Sequence, residues 1–366
     1  MNGYEGHISA SEGIIMVFAV LSAELFVEFP ALLVRAGGPA AWQLVLVMTL
    51  AGLALFLPTV WLAHRFPQQG LAEIATAVAG PVFGGLLALI AVGWLVLNIA
   101  LSVRNFAEAF IVGILPDTPP SMLIVIAMVC AAYASYQGLE ALARAVQIFF
   151  PVILGGSLIL VLLSISLGDV SLLFPFWGRG VDITIVQGLA NVGATAEALV
   201  LIIFGYAFRK SNDVRTAGLM GILLYGLTAT LTVSVLVMVL GGPDASQTPF
   251  PLVSVARMFH LGRLFQRTEA GIVLFWFFTD VVRLSALLHA AVVLLSGTLR
   301  LPFYRPVILP VAFVAGTLSL IPKDLVTVLR LGESWVRPGG IALMGIPLML
   351  IAVAALRNLG GPSHAA

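Results

Sequence analysis

Long apolar stretches, separated by short polar or proline-rich breaks, run through the whole chain. A helix needs roughly 20 mostly apolar residues to cross a bilayer. By this measure we predict ten membrane-spanning helices, at residues 12–34, 40–63, 82–113, 119–136, 143–166, 183–208, 214–240, 268–297, 304–321 and 338–357. The pattern therefore predicts an all-α polytopic membrane protein.

Two further stretches, residues 67–81 and 249–265, begin at prolines and mix apolar with polar residues. This mixture is typical of amphipathic helices that lie at the membrane surface. Each stretch falls between the second and third spans of its half of the chain. We therefore predict one membrane domain, 1–366, made of two five-helix repeats at 12–166 and 183–357. Because five is odd, the second repeat enters the membrane from the opposite side, which is the inverted arrangement of many secondary transporters.

Composition supports a membrane environment. Hydrophobic residues make up 60% of the 366 residues and charged residues only 10%, with a mean hydropathy of +1.10. This is too little charge to cover a soluble protein of this length, so we expect membrane lipid to surround it. A net charge of +1 without a basic stripe argues against nucleic acid as a partner. Basic residues divide evenly between the two sides, but the short connection with Arg209, Lys210 and Arg215 favours a cytoplasmic N-terminus.

Charged side chains within predicted spans are costly in a bilayer and are usually functional. Seven are present: Glu24, Glu28, Arg104, Glu108, Glu197, Asp280 and Arg283. Helical spacing pairs Arg104 with Glu108 and Arg283 with Asp280. This pairing leaves three glutamates without a cationic partner. Such groups need a proton, a bound cation or the ammonium group of a ligand.

Spans 1 and 6 occupy equivalent positions in the two repeats. Span 6 contains small and polar residues from Asn191 to Glu197, whereas span 1 has Pro30 but no glycine near its middle. Inverted-repeat transporters bind substrates at the bilayer midplane, between discontinuous helices. We therefore predict broken helices 1 and 6 and a substrate-binding set at Ser22, Ala23, Glu24, Leu25, Phe26, Asn98, Asn191, Gly193, Thr195 and Glu197.

A second set is predicted to act in coupling or gating: Glu28, Asp280, Arg283, Arg104 and Glu108. Polar residues in spans can also serve helix packing alone. That alternative stands for Asn98 and Thr195, and structural ion pairing stands for both predicted pairs. A single cysteine and the absence of a His/Cys cluster predict no metal site. No nucleophile–base pair or phosphate loop is evident, so we predict neither an enzyme nor a cofactor, apart from a coupling proton or sodium ion.

Several local motifs together carry a family resemblance. They are Val103-Arg-Asn-Phe-Ala-Glu-Ala-Phe110 followed by Leu115-Pro-Asp-Thr-Pro119, Gly138-Leu-Glu-Ala-Leu-Ala-Arg144 followed by Phe150-Pro151, Phe66-Pro67, and Pro251-Leu-Val-Ser-Val-Ala-Arg257. Over nearly its whole length the chain resembles the B subunit of bacterial spore germination receptors. These GerAB-type spore permeases belong to the amino acid–polyamine–organocation transporter superfamily.

The resemblance implies a LeuT-like bundle of ten helices in the bacterial cell membrane or the spore inner membrane, with a cytoplasmic N-terminus. It implies nutrient sensing and two partners, an A subunit with large soluble domains and a lipoprotein C subunit. The chain departs from the family in lacking glycines before Pro30 and in having Ala196 before Glu197. Two functions therefore stand: a receptor subunit for an amino acid or related amine, and a proton- or sodium-coupled transporter of such compounds.

Overall fold

The computed structural model describes residues 6–113, 115–258 and 268–357 of the chain. The α-helices of this part, in chain order, are α1 (Ala10–Ser22), α2 (Phe29–Gly37), α3 (Ala41–Arg65), α4 (Leu71–Gly113), α5 (Pro120–Gln137), α6 (Leu139–Ile165), α7 (Val181–Ala190), α8 (Val200–Ile203), α9 (Ser211–Gln247), α10 (Pro251–Arg257), α11 (Thr268–Thr298), α12 (Arg305–Leu318), α13 (Leu325–Leu331) and α14 (Arg337–Leu356). The 3-10 segments are Ala23–Phe26, Gly38–Ala40, Val170–Leu173, Val192–Leu199 and Gly205–Ala207, and a π-helical turn covers Gly332–Val336.

Eight helical stretches in the described residues are long and apolar enough to cross a membrane. They are Phe29–Arg65, Leu71–Val112, Pro120–Gln137, Leu139–Ile165, Val181–Ile203, Ser211–Gln247, Phe275–Thr298 and Leu325–Leu356. The two other predicted spans are shorter helices. Span 1 is divided between α1 and α2, and span 9 is the 14-residue α12. Each of the ten predicted spans therefore coincides with helix.

Both predicted helix breaks are present. Helix α1 gives way at Ala23 to a 3-10 turn, and α2 begins only after Val27, whose backbone leaves the helical region (φ −107°, ψ −149°). Pro30 stands in the first turn of α2, where proline is tolerated because its missing N–H would have no helical partner. The break in span 1 therefore forms without a glycine. In span 6, the 3-10 segment Val192–Leu199 separates α7 from α8.

Two glycines with positive φ interrupt long helices near the two stretches that were predicted to lie at the membrane surface. Gly80 (φ 85°) divides α4 into a short helix, 71–79, and a long one, which confirms a separate helical element within 67–81. Gly241 (φ 74°) bends α9 in the second half of the chain. The other predicted surface helix, 249–265, coincides with α10 up to Arg257, and its last residues lie outside the described part.

The last span is longer than predicted. Hydropathy places its start at residue 338, but the helical path begins at Leu325 and continues through the π-helical turn into α14. Asp324 caps this start by accepting a hydrogen bond from the Thr327 N–H (2.8 Å). The two predicted ranges, 304–321 and 338–357, therefore omit residues 325–337, which become part of the bundle.

The bundle is held together by close packing of its inner helices and is covered by apolar side chains. Helix α11 packs along α4, and α9 packs against both α1 and α3. Large apolar side chains on the outer helices are exposed, as for Ile148 (74%) and Phe313 (74%). A surface of this kind is unfavourable in water and suits lipid. The chain is a multi-pass membrane protein.

Candidate functional site

Arg283 of α11 joins the two broken helices at the centre of the bundle. Its Nη2 donates to Glu24 Oε1 in the first break at 2.7 Å. The same nitrogen and Nε also donate to the Glu197 carboxylate in the second break, with Nε 3.0 and 3.1 Å from the two oxygens. Glu197 and Arg283 are only 2% and 4% exposed. A buried guanidinium thus holds two carboxylates from opposite halves of the chain.

Helix α4 completes this network with amide and hydroxyl groups. Asn98 Nδ2 donates to Glu197 Oε1 (2.8 Å), and Asn98 Oδ1 accepts from Ser102 (3.1 Å) and from Arg283 (3.3 Å). Four separate elements therefore meet in one hydrogen-bonded cluster, which we call the Arg283 cluster: Glu24, Asn98, Ser102, Glu197 and Arg283. Such networks are costly when only partly satisfied and fix a specific arrangement when complete.

This geometry corrects two predictions. The expected pair of Arg283 with Asp280 is absent from the described residues, where Arg283 bonds with Glu24 and Glu197 instead. The expectation that these two glutamates lack a cationic partner is wrong for the same reason. Helical spacing favours the near neighbour, but the long arginine side chain reaches carboxylates that the breaks bring to it from 86 and 259 residues away in sequence.

Asp280 is buried (3% exposed), and its Oδ2 has no hydrogen-bond partner in the described part of the chain. The other predicted pair, Arg104 with Glu108, is confirmed as an ion pair of 2.7 Å on α4. Neither residue lines the cavity described next. A gating role for Arg104, Glu108 or Asp280 stays a prediction.

A cavity of about 50 Å³ lies beside the Arg283 cluster. The residues that line it are Glu24, Val27, Glu28, Phe29, Asn98, Leu101, Ser102, Asn105, Arg283, Val328, Gly332, Val336 and Arg337. They come from the first break, α4, α11 and the start of the last span. Glu28 accepts a hydrogen bond from Asn105 Nδ2. The cavity therefore combines charged groups of both signs with apolar walls.

Several residues of the predicted substrate-binding set lie elsewhere. Ala23, Leu25 and Phe26 are packed in the core and do not line the cavity. Of three others, two make hydrogen bonds within span 6 and one is the last residue of α1. Asn191 Nδ2 donates to Gln187 O (2.8 Å), Thr195 donates to Val192 O (2.8 Å), and Ser22 is fully buried with no partner for its hydroxyl among the described residues.

Gly193 serves helix packing. A Cβ on this residue would lie 2.0 Å from the main-chain oxygen of Arg337, so the second break and α14 touch backbone to backbone. We expect Gly193→Ala to lower the free energy of unfolding by about 1–3 kcal/mol, because neither backbone can move aside cheaply. Thermal unfolding of the purified protein in detergent measures the effect.

Gly345→Ala is the matched control for this substitution. Gly345 lies in α14, the helix that Gly193 packs against, but a Cβ there meets no atom within 4 Å. Its stability should change by less than about 1 kcal/mol, in the stabilising direction. Equal melting temperatures for the Gly193 and Gly345 variants would contradict the packing role.

Three polar residues of the cavity, Ser102, Asn105 and Arg337, were not predicted from the sequence. Asn105 follows Arg104 in α4, and only its position seven residues after Asn98, on the same helix face, could have indicated it. Arg337 lies just outside the last predicted span, 338–357, and so was not considered as a site residue. The N-cap residue Asp324, followed by the apolar run of α13, is the signal that would have extended that span to include it.

Comparisons with known proteins agree on family and fold. A spore permease family profile, described as "Spore germination protein", matches residues 7–327. Spore germination protein YndE of Bacillus subtilis (strain 168) is 20% identical over 363 residues, covering 96% of this chain and 97% of the relative. Spore germination protein KB of the same organism is 25% identical over 261 residues, 70% of each chain.

Two solved transporters share the architecture. The chain is similar to MhsT in complex with L-phenylalanine (TM-score 0.68, 16% identity, 93% of this chain and 89% of that one). It is also similar to a substrate-bound, outward-open Na⁺-coupled sialic acid symporter (TM-score 0.65, 16% identity, 96% and 84%). Both have the LeuT fold, a five-plus-five inverted repeat. The predicted fold class is therefore confirmed, whereas the exact repeat boundaries stay a prediction.

Proposed function

The chain belongs to the spore germination protein family, and on that premise we propose that it is the B subunit of a germinant receptor. It binds a small nutrient, an amino acid or related amine, in the cavity beside the Arg283 cluster. The observation that carries this proposal is the cluster itself. One buried cation ties together the two breaks that form the substrate site in transporters of this fold.

Glu24 gives the site a means of responding to a ligand. Its carboxylate bonds to Arg283 and also lines the cavity, and its side chain is 18% exposed. A ligand that competes for Glu24 changes the contacts between the two halves of the bundle. Binding shifts a conformational equilibrium only when the ligand interacts differently with the two states. Glu24 supplies that difference, and the shift is passed to an A subunit and a lipoprotein C subunit.

The orientation that we propose places the N-terminus in the cytoplasm of the cell or spore. Ile8 N donates to Ala207 O (3.1 Å), so the N-terminal segment lies on the same side as Arg209 and Lys210. Clusters of basic residues in short connections favour the cytoplasmic side. The basic cluster and the N-terminus therefore support the same topology.

A ligand screen tests the proposal. The purified protein is expected to melt at a higher temperature with at least one amino acid or amine of a broad panel, because a ligand that binds only the folded state stabilises it. The screen is run at two pH values, with mannitol at equal concentration as a control for general solute effects. Absence of a shift for every compound at both pH values would reject nutrient binding.

A secondary transporter coupled to protons or sodium is the second candidate. It is favoured by the fold shared with a Na⁺-coupled symporter and with a transporter in complex with L-phenylalanine. Liposomes containing the protein alone distinguish the two functions. Saturable uptake driven by a sodium or proton gradient supports the transporter, and binding without uptake supports the receptor.

A further inference from the structure

The walls of the cavity carry charges of opposite sign on opposite elements. Glu24 and Glu28 come from the first break, whereas Arg337 comes from the first turn of α14. Arg283 also lines the cavity, but its hydrogen bonds go to Glu24, Glu197 and Asn98. Arg337 is therefore the cation of this cavity that remains for a ligand.

Two lining groups lack the hydrogen-bond partners that their chemistry requires. Among the described residues, the Arg337 guanidinium makes no hydrogen bond or ion pair and lies over the Phe29 ring, 4.9 Å from its centre. Asn105 is 8% exposed, and its Oδ1 has no partner although its Nδ2 donates to Glu28. A guanidinium without a hydrogen-bond acceptor can bind an anion, and an amide oxygen without a donor can accept a hydrogen bond from an N–H group. Together these two groups fit a ligand that carries both an anionic group and an N–H donor.

We propose that the cavity selects a zwitterion, an α-amino acid whose carboxylate is held by Arg337 and whose ammonium group is held by Asn105 Oδ1 and Glu28. This inference rests on the proposed function, because it takes the cavity to be the nutrient site. A simple amine leaves Arg337 without an anion, and a simple carboxylate leaves Asn105 Oδ1 without a donor and Glu28 without a cation. Specificity then arises from the groups that the wrong ligand leaves unpaired.

The position of Arg337 also couples ligand binding to the second break. Its main-chain oxygen is the atom against which Gly193 packs, and the preceding residue, Val336, accepts a hydrogen bond from the Trp94 indole (2.8 Å). The π-helical turn Gly332–Val336 ends directly before it, and such turns are frequent at functional sites. A carboxylate bound to Arg337 therefore acts on a segment that contacts span 6.

The test compares ligands that differ by one charged group. Calorimetric titration of the purified protein uses L-alanine, L-leucine and L-phenylalanine, each with its decarboxylated amine (ethylamine, isoamylamine, phenethylamine) and its deaminated acid (propionate, 4-methylpentanoate, 3-phenylpropionate). For each amino acid that binds, both analogues should bind at least about tenfold more weakly. Arg337→Gln should weaken the amino acid by about 10- to 100-fold and leave the amine unchanged.

Two further variants separate recognition from folding. Arg337→Lys should recover part of the lost affinity, because it keeps the charge but not the fork of donors. Arg330→Gln replaces an exposed arginine of α13. This variant should bind the amino acid as tightly as the wild type does. An amine that binds wild type as tightly as its amino acid, or undiminished amino acid binding by Arg337→Gln, overturns the zwitterion site while nutrient binding stands. No binding of any probe to the wild type, together with no melting-temperature shift for any compound of the broad panel, overturns both proposals.

Discussion

Replacing Arg283 by glutamine is expected to lower the free energy of unfolding by about 3–5 kcal/mol, the usual cost of removing one partner from a buried ion pair. The substitution leaves Glu24 and Glu197 facing each other without the cation that both of them bind. The reduced stability should appear as lower accumulation in the membrane and as a lower melting temperature in detergent.

Two controls make this result specific. Arg144→Gln breaks an Arg–Glu pair whose side chains are 68% and 40% exposed, and exposed pairs contribute less than about 1 kcal/mol. The double variant Glu197→Gln/Arg283→Gln removes one charge of each sign and should regain much of the stability lost by Arg283→Gln alone. A double variant no more stable than the single one would mean that the two side chains are not energetically coupled.

Under the proposed receptor function, Glu197→Gln is expected to weaken the response to the nutrient strongly while leaving membrane insertion intact. Glu197 accepts hydrogen bonds from Arg283 and from Asn98. The glutamine keeps the size of the side chain, but it is neutral and presents an N–H₂ group where an acceptor is needed. Truncating one member of a buried charged pair typically costs 2–5 kcal/mol or more, so the concentration for half-response should rise by at least about 30-fold.

The measurement is a dose–response curve of the complete receptor, with the amount of protein in the membrane determined in parallel. Glu140→Gln is the matched control, since Glu140 is a half-buried glutamate on α6 and bonds only to Arg144 among the described residues. It should respond like the wild type. A normal curve for Glu197→Gln at equal protein levels would remove Glu197 from the site.

The sequence predicts most of the fold because spans and breaks depend on local signals. Apolar length places the helices, and the small and polar residues from Asn191 to Glu197 mark the break in span 6. The ion pair of Arg104 with Glu108 is also local, one helical turn apart. Each of these features can be read from residues close in the chain.

The site is less predictable because its contacts join distant segments. The partners of Arg283 are determined by how the two breaks pack against α11, and no spacing rule for a single helix gives that arrangement. Arg337 was missed for another reason. Arg330, Glu333 and Arg337 lower the local hydropathy, so the apolar window begins only after them, although the helix already extends from Leu325. Charges that face a cavity inside a bundle resemble loop charges in a hydropathy profile.

Because Arg283 is part of the chain, the positive charge between the two breaks is tethered and never diffuses away. A free ion would occupy that position according to its concentration, whereas a tethered one is present at a constant effective concentration. Salt screens buried charge pairs much less than exposed ones, so the resting arrangement of Glu24 and Glu197 should depend little on ionic strength. Under the proposed function, the nutrient is then the variable that alters it. A receptor built in this way would respond to the same nutrient concentration whether or not an ion gradient is present.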